Sequence, residues 1–338
     1  EIEDDLVEEI ARIVGYDSLP TTMLSSSIPH VEPQVMPLLK ERARDLLAAA
    51  GMRETVSYSA TSLDILGKVA ALDDGPQPLK IANPMSGELE YLRTSLRGSV
   101  LETLASNRRV DQSGSIRVFE VGRVFLPKEE AKERDLPDQN EMLVGVLSGP
   151  RFATSWQSPE GELDFFDAKG VLESVFPNLG IPLTYKPHVD SILHPGRAAQ
   201  LMLGETPVGV IGEVHPNVRD RFDLGEGPVA LFEVDLEAVK DVSHRMGVGY
   251  QSASRFPESH RDLALILDAG VPSDAVQAII EGNRLVVKSV PFDVYSGQGV
   301  PEGKKSVAYR VVYQSDSATL TSEQVDKAQQ DILRRLNR

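Results

Sequence analysis

The sequence predicts an α+β protein in which an antiparallel sheet forms the core and a smaller βαββα unit follows it. Two observations carry this prediction. Between residues 181 and 240, short apolar runs alternate with turn signals at LHPGR, LGETP, GEVHP and GEGP, and such closely spaced returns favour antiparallel strands. From RDLALIL onward the order is strand, helix, strand, strand and helix, which is a ferredoxin-like unit that lacks its last strand.

The predicted helices have recognisable ends. Glycines stop the first two, and hydroxyl or amide side chains cap the starts of the later ones. The stops are Gly15 and Gly51, and the starts are Thr94 or Ser95, Ser273 beside Pro272, and a capping box of Thr321 with Gln324. The first helix carries an apolar stripe from Ile2 to Val14, which is the spacing of an amphipathic helix.

The strongest strands read SIRVFEVGRVF and MLVGVLSG in the middle of the chain, and LVVKSVPFDVYSG and KKSVAYRVVYQS near its end. They are rich in β-branched and aromatic residues and are bounded by turn signals. The single tryptophan, Trp156, follows the second strand. We expect it in a core or an interface, because it is a large apolar side chain.

The composition excludes several classes of protein. The 338 residues include no cysteine, which rules out disulfides and a cysteine nucleophile and fits a reducing, cytoplasmic location. No apolar run approaches the roughly 20 residues that span a bilayer, so we expect no membrane partner. The net charge is −16, which argues against a broadly basic nucleic-acid binder, and we expect no DNA partner. Basic and acidic residues balance over 255–338, so we expect any phosphate contact in that region.

The motifs of common catalytic sites are absent from the sequence. There is no GxxxxGK[ST] phosphate loop, HExxH zinc helix or GxSxG nucleophile elbow. His194 and His215 each precede a proline, which indicates turn-forming roles. We therefore predict no catalytic residue in this chain.

Three carboxylates, Asp5, Glu8 and Glu9, crowd one side of the first helix, because residues three and four apart are neighbours on a helix surface. Taken by itself, the motif favours a solvated acidic face. The alternative is a site for a hard cation such as Mg²⁺, which usually takes one or two carboxylates and keeps several waters.

Seven segments, in their order along the chain, resemble the C-terminal half of the β subunit of phenylalanyl-tRNA synthetases. They are NPMSGELEYLRTSL, IRVFEVGRVF, LHPGRAA, VIGEVHP, RFPESHRDLALIL, FDVYSGQGVPEGKKSVAYRVVYQS and TLTSEQV. The resemblance covers nearly the whole chain and implies three parts. These are the end of a small DNA-binding-like domain at 1–22, an inactive class II synthetase catalytic-like domain at 23–252, and a ferredoxin-fold anticodon-binding domain at 253–338.

The resemblance also implies partners and a reaction. A protein of this family is expected to form an α2β2 heterotetramer with the phenylalanyl-tRNA synthetase α subunit and to bind tRNA(Phe). ATP-dependent phenylalanylation is then expected on the α subunit. The family's oligonucleotide-binding and editing domains would precede residue 1, so we expect no hydrolysis of mischarged tRNA by these residues.

The resemblance assigns the acidic trio to Mg²⁺. The family's site, shared with the α subunit, has the pattern D-x5-D-L-x-E-E. Asp5-Leu6 and Glu8-Glu9 match its second half, and its first Asp would precede Glu1. On this basis we expect Asp5, Glu8 and Glu9 to be metal ligands rather than a solvated face.

The class II resemblance also argues against adenylate chemistry in this chain. An active site of this class needs an arginine and a glutamate spaced R-x-E to grip the ATP phosphate. Here Arg117 and Glu120 are spaced R-x-x-E, and strand alternation places such residues on opposite faces. The arginine expected after Gly249 is also missing, since the next one is Arg255.

If the last domain reads an anticodon, its RNA-binding residues should lie on the two central strands and their connecting turn. Unpaired bases stack on aromatic rings, while basic groups bind the phosphates. We predict Tyr295 as the stacking residue and Lys304 and Lys305 as phosphate contacts, with Ser306 and Arg310 beside them.

Two other interpretations of the sequence stay open. The acidic trio could belong to a metal-dependent hydrolase, although no later His or Asp is spaced to complete its ligand set. The last unit could be an amino-acid-sensing module outside translation, since ferredoxin-like units often bind amino acids.

Overall fold

The computed structural model describes residues 2–23, 25, 34–69, 77–111, 114–128, 136–153, 155–245 and 252–336. The chain divides into two compact units, residues 1–248 and residues 249–338. Within the described ranges, no helix is both long enough and apolar enough to cross a membrane.

The first helix, α1 (Glu3–Val14), buries none of its residues. Its N-terminus is closed by the Asp5 carboxylate, which accepts the backbone N–H of Ile2 at 2.9 Å. The helix ends at Gly15, whose φ of 92° lies in the region that favours glycine. Its apolar stripe is exposed, with Ile13 79% accessible, so this face of α1 is not part of the core.

A seven-stranded sheet forms the centre of the first unit. The strands of this unit are β1 (Arg53–Glu54), β2 (Ala60–Thr61), β3 (Tyr91–Leu92), β4 (Ile116–Leu126), β5 (Asp138–Ser148), β6 (Thr184–Pro187), β7 (Leu193–Leu203), β8 (Thr206–Val214) and β9 (Val229–Asp235). The large sheet has the order β1-β4-β5-β9-β8-β7-β6, and β2 pairs with β3. β1 runs parallel to β4, whereas the other neighbours in the large sheet are antiparallel. The predicted antiparallel sheet is therefore present.

Helices cover both faces of the large sheet. They are α2 (Val35–Ala49), α3 (Leu63–Val69), α4 (Arg97–Val110), α5 (Phe165–Val175), α6 (Pro216–Arg221) and α7 (Leu236–Arg245), with a short 3₁₀ helix at Pro177–Leu179. A second 3₁₀ helix, Tyr16–Ser18, follows α1 and buries none of its residues. On one face, α2 and α5 bury Leu47 and Leu172 in a cluster with Phe232 of β9. On the other face, α4 buries Leu101 in a cluster with Val144 of β5. A charge on these strands must therefore find its partner inside the protein.

The most buried of these charges is the carboxylate of Glu120 on β4. It accepts a hydrogen bond from Arg93 at 2.8 Å, and the two side chains are only 3% and 4% exposed. The Ser57 hydroxyl bridges them, donating to Glu120 at 2.7 Å and accepting from Arg93 at 2.8 Å. The pair ties the segment after β1 to the central strands.

A second buried carboxylate anchors the start of α4. Glu233 of β9 accepts the backbone N–H of Leu96 at 3.1 Å and the guanidinium of Arg97 at 2.6 Å. The N-cap of α4 is Leu96 and not the predicted Thr94 or Ser95, although the Ser95 hydroxyl accepts the Arg97 N–H at 3.1 Å. A negative charge at a helix N-terminus is stabilised by the exposed N–H groups.

The second unit is a three-stranded antiparallel sheet with two helices. Its elements are β10 (Ser259–Asp268), α8 (Ser273–Glu281), β11 (Val286–Tyr295), β12 (Lys304–Tyr313) and α9 (Ser322–Leu336). The strand order is β10-β12-β11, and the succession of elements is the predicted one. Ile280 of α8 and Ile332 of α9 form a core with Tyr309 of β12. The helices thus cover one face of the sheet and leave the other open.

The structure confirms one predicted capping device and corrects two other expectations. Thr321 and Gln324 form the capping box, with their side chains accepting each other's backbone N–H groups at 3.4 and 2.9 Å. Ser273 does not cap α8, because Pro272 is the N-cap and the Ser273 hydroxyl bonds to the Tyr309 hydroxyl at 3.0 Å. Trp156 is 92% exposed, so of its two expected places the core is wrong and the interface stays a prediction.

The Arg93–Glu120 pair gives a stability prediction. Replacing Arg93 with methionine leaves the Glu120 carboxylate buried without a cation, and breaking such a pair typically costs about 3–5 kcal/mol. We expect the free energy of unfolding of the first unit, measured by urea titration, to fall by roughly that amount. The Arg93→Met/Glu120→Gln variant should recover part of the loss, because no unpaired charge stays buried.

The exposed Arg12–Glu9 pair, with side chains 63% and 60% accessible, supplies the control. Arg12→Met should change stability by less than about 1 kcal/mol. Equal losses in Arg93→Met and Arg12→Met would contradict the prediction.

Candidate nucleic-acid interface

The open face of the three-stranded sheet presents side chains from all three strands. Successive strand residues alternate between the faces, so the neighbours of the buried Val307 and Tyr309 point away from the helices. The register places Ser306 between Ile266 of β10 and Tyr295 of β11. Ile266 is 58% and Tyr295 49% exposed, so the face combines apolar surface with a hydroxyl group.

Two aromatic rings lie on this face. Tyr295 donates its hydroxyl to the carbonyl of Gln298 at 3.2 Å, which fixes the edge of its ring. Phe292 is 52% exposed, and the Arg310 guanidinium lies 5.1 Å from the centre of its ring. Because two residues three apart on a regular strand face opposite sides, the sequence indicates only one of the rings. The register shift between Pro291 and Asp293 brings both to the open side.

Two cations of the open face, Arg310 and Lys304, are paired with carboxylates of the neighbouring strand, whereas Lys288, opposite Val312, forms no ion pair in the described ranges. Arg310 donates two hydrogen bonds to the two oxygens of Asp262, each at 2.9 Å. Lys304 lies 3.3 Å from the carboxylate of Asp268. Both pairs follow from the register, which sets each carboxylate of β10 directly opposite its cation on β12.

Lys305 is separated from the other predicted RNA-binding residues. It alternates with Lys304 and Ser306 along β12, and its ammonium group donates to the backbone carbonyl of Val271 at 2.7 Å. The structure thus brings Tyr295, Ser306 and Arg310 to one face with Lys304 at its end, and it directs Lys305 toward the helix side.

The Asp262–Arg310 pair persists at neutral pH. Hydrogen bonds from Arg310 hold the pKa of the Asp262 carboxyl below its ordinary value, and the same bonds raise the pKa of Arg310. A carboxylate with a lowered pKa keeps its stabilising charge above its ordinary pKa and loses it only as the pH falls through the lowered value. The guanidinium is therefore already occupied when a polyanion approaches.

This pairing predicts the effect of removing Asp262. The Asp262→Asn variant frees Arg310, so we expect it to elute from heparin at a higher salt concentration than the wild type. Glu323→Gln is the control, since it removes the same charge from an exposed position that has no basic partner in the described ranges. Equal shifts in the two variants would show that only net charge matters.

The acidic trio lies on the exposed helix α1, where only part of it is free. Asp5 closes the helix N-terminus through the N–H of Ile2, and Glu9 pairs with Arg12 at 2.5 Å. Within the described part of the chain, no three His, Asp or Glu side chains are arranged to hold a metal by themselves. The oxygen donors suit a hard cation, and such a cation would need further ligands from outside these residues.

The large sheet offers no free carboxylate in its described, buried positions. Besides Glu120 and Glu233, Glu141 pairs with Lys40 at 3.0 Å and Glu213 with Arg197 at 2.6 Å. Burial raises the pKa of Glu141, but hydrogen bonds from Lys40 and Arg123 outweigh it and leave the pKa lowered.

Arg117 and Glu120 lie on opposite faces of β4, as their spacing predicts. Arg117 shares the parity of Phe119, which belongs to the cluster under α2 and α5, and it donates to the carbonyl of Arg151 at 3.0 Å. Glu120 shares the parity of Val118, which belongs to the cluster under α4. The two side chains cannot converge on one ligand.

The turn-forming roles predicted for His194 and His215 are not found, because His194 lies within strand β7 and His215 is the N-cap of α6. Nδ1 of His194 accepts the backbone N–H of Gly196 at 3.1 Å, and Nδ1 of His215 accepts that of Asn217 at 3.2 Å. Their rings stack with centres 6.4 Å apart.

Each of the two units matches a known protein family. Residues 19–236 match the family described as the phenylalanyl tRNA synthetase beta chain CLM domain. Residues 254–338 match the ferredoxin-fold anticodon binding domain. A solved pyrrolysyl tRNA synthetase of Desulfitobacterium hafniense covers 62% of this chain and 67% of its own, at 16% identity and a TM-score of 0.46, a score too low to establish a shared fold.

Individual relatives agree along the whole chain. A phenylalanine–tRNA ligase beta subunit of Dehalococcoides mccartyi is 40% identical over 338 residues, which is all of this chain and 41% of the relative. Those of Syntrophotalea carbinolica and Geobacillus kaustophilus are each 37% identical, covering 98% of this chain and 41% of their own length. The chain therefore spans about two fifths of the length of these curated relatives. It belongs to the phenylalanyl-tRNA synthetase beta chain family.

Proposed function

We propose that this chain is a non-catalytic part of the β subunit of a phenylalanine–tRNA ligase. It packs against the α subunit in an α2β2 heterotetramer and binds tRNA(Phe), while the α subunit binds ATP and performs the phenylalanylation. The observation that carries the proposal is the succession of two family matches, over 19–236 and 254–338, in a chain 40% identical to a ligase beta subunit along its whole length. The cytoplasm, where translation takes place, is its proposed location.

We propose the same three-part division that the sequence suggests. Residues 1–22 end a small DNA-binding-like domain, residues 23–252 form a class II catalytic-like domain, and residues 253–338 form the anticodon-binding domain. Two facts support the division. The boundary between the compact units falls at residues 248 and 249, and α1 is exposed along its apolar face.

The assignment of catalysis to another chain rests on the geometry of the large sheet. Arg117 and Glu120 lie on opposite faces, and helices cover both faces. The described buried carboxylates of the sheet are held by arginine or lysine. Charges fixed in this way support packing and positioning rather than bond-making.

The open face of the second unit is the proposed anticodon surface. Exposed aromatic rings bind unpaired bases by stacking, and Tyr295 and Phe292 are about half exposed there. Ser306 offers a hydroxyl beside Tyr295, and Arg310 and Lys304 offer paired charges. Lys305, which bonds to a backbone carbonyl, plays a lesser part in this proposal.

Asp5, Glu8 and Glu9 are the proposed ligands of a Mg²⁺ ion that the α subunit helps to bind. Their exposed carboxylates fit a hard cation that keeps several waters. When bound, the ion would offset the repulsion within the trio and link the two subunits.

One purification tests this function. The chain alone should show no ATP–pyrophosphate exchange with phenylalanine, because Arg117 and Glu120 lie on opposite faces of β4, whereas the chain co-purified with a candidate α subunit should show it. Exchange by the chain alone would refute the proposal.

Chelation with EDTA should reduce co-purification of the wild type and have little further effect on Asp5→Ala/Glu8→Ala. An equal effect on both would remove the metal from the proposal.

The stacking residues give a separate prediction. Tyr295→Ala and Phe292→Ala should each weaken binding of a tRNA(Phe) transcript by about 1–3 kcal/mol, the typical contribution of one base–aromatic stack. Fluorescence anisotropy at fixed salt measures the change. Tyr58→Ala, which removes another exposed tyrosine from the first unit, is the control. Unchanged binding in both aromatic variants would exclude the open face as the anticodon surface.

A further inference from the structure

A polar groove lies on the second unit, away from the open face. It has a volume of about 950 Å³ and is formed by residues 282–287 between α8 and β11, residues 314–320 after β12, and the exposed side of α9. It lies at the end of the sheet where Val286 pairs with Tyr313, whereas Tyr295 pairs with Ser306 at the other end. At about 3.3 Å per strand residue, the seven steps from Ser306 to Tyr313 along β12 place the two ends roughly 23 Å apart.

The groove collects cations that are not paired with carboxylates. Arg284, Lys327 and Arg334 line it and are exposed, and none of the three forms an ion pair within the described ranges. Of the two acidic residues that line it, Asp331 is held by Arg335 at 2.8 Å, which leaves Asp316. The groove is therefore positive in a unit whose basic and acidic residues balance overall.

The contrast with the part of the open face around Tyr295 indicates what this groove can bind. On the open face, Lys304 and Arg310 are paired with Asp268 and Asp262, so a phosphate would have to break those pairs to be bound there. In the groove, the three unpaired cations can bind a phosphate without first breaking an ion pair. Phosphate binding to free lysines and arginines gains from the release of counterions and falls with added salt.

We propose that this groove binds the phosphate backbone of the RNA whose bases meet the open face. The assignment rests on the proposed function, in that the RNA is a tRNA. Arg284, Lys327 and Arg334 contact phosphates of nucleotides outside those stacked on Tyr295, because the groove lies at the opposite end of the sheet. Base reading and phosphate binding are thus divided between two surfaces of one small unit.

The test is a triple variant of the full chain, Arg284→Gln/Lys327→Gln/Arg334→Gln. The matched control, Arg42→Gln/Arg53→Gln/Arg109→Gln, removes the same charge from exposed side chains of the first unit. At about 0.1 M salt, we expect the triple variant to bind a tRNA(Phe) transcript roughly ten- to a hundredfold more weakly, and its dependence of log K on log salt to flatten by about two to three units. The control variant should change the affinity and its salt dependence much less. Melting followed by circular dichroism should be the same for both variants as for the wild type.

A transcript with a substituted anticodon separates this inference from the proposed function. The affinity of the triple variant should fall by the same factor for both transcripts. Tyr295→Ala should instead lose its preference for the cognate anticodon and keep the wild-type salt dependence. Wild-type affinity and salt dependence in the triple variant would overturn the groove and leave the proposed function standing. Failure of the wild type to bind any tRNA would overturn both. If the triple variant lost binding to polyglutamate but kept its binding to tRNA, the groove would be assigned to an acidic protein and the RNA proposal would be overturned.

Discussion

Burial of charged side chains on a sheet covered from both sides is the constraint on which the first unit depends. A carboxylate taken out of water is costly unless a cation accompanies it. The four buried glutamates of β4, β5, β8 and β9 obey this rule, each with an arginine or lysine within about 3 Å. The same pairs connect distant segments, since Arg93 and Arg97 precede or begin α4 while Glu120 and Glu233 lie on the sheet.

This constraint also limits what the first unit can do. A group that acts on a substrate must change its charge or its partners during the reaction, and a buried glutamate held by an arginine is fixed in both respects. Arg117 and Glu120 also lie on opposite faces of β4, so these two side chains cannot grip a nucleotide phosphate together. The unit is built to keep its shape, which is consistent with a role in packing and positioning.

The second unit is constructed differently, because its helices cover only one face of the sheet. The open face keeps aromatic and apolar side chains in contact with solvent. Exposing them to water costs free energy, which is regained when a ligand covers them. Around Tyr295, its cations Lys304 and Arg310 are held in cross-strand ion pairs, so they contribute hydrogen-bonding groups in fixed positions and little net charge. Three unpaired cations, Arg284, Lys327 and Arg334, lie around the groove beside α9, and this separation of unpaired charge from the aromatic surface around Tyr295 is the main physical difference between the two regions.

The sequence by itself determined the α+β class, the antiparallel spacing of the sheet, the order of elements in the second unit and the capping box of Thr321 with Gln324. These features follow from local periodicity and from side chains that bond to nearby backbone groups. It also indicated Tyr295, because an aromatic residue on an amphipathic strand stands out locally.

Only the tertiary structure decided the rest of the candidate site. Phe292 joins Tyr295 through a bulge that the alternation of the strand does not reveal. Lys304 and Arg310 are neutralised by residues some 40 positions earlier in the chain, and Lys305 turns to a backbone carbonyl. Arg284, Lys327 and Arg334 converge from two separate elements. Each of these outcomes depends on which strands and helices become neighbours, and a spacing within one segment carries no information about such pairings.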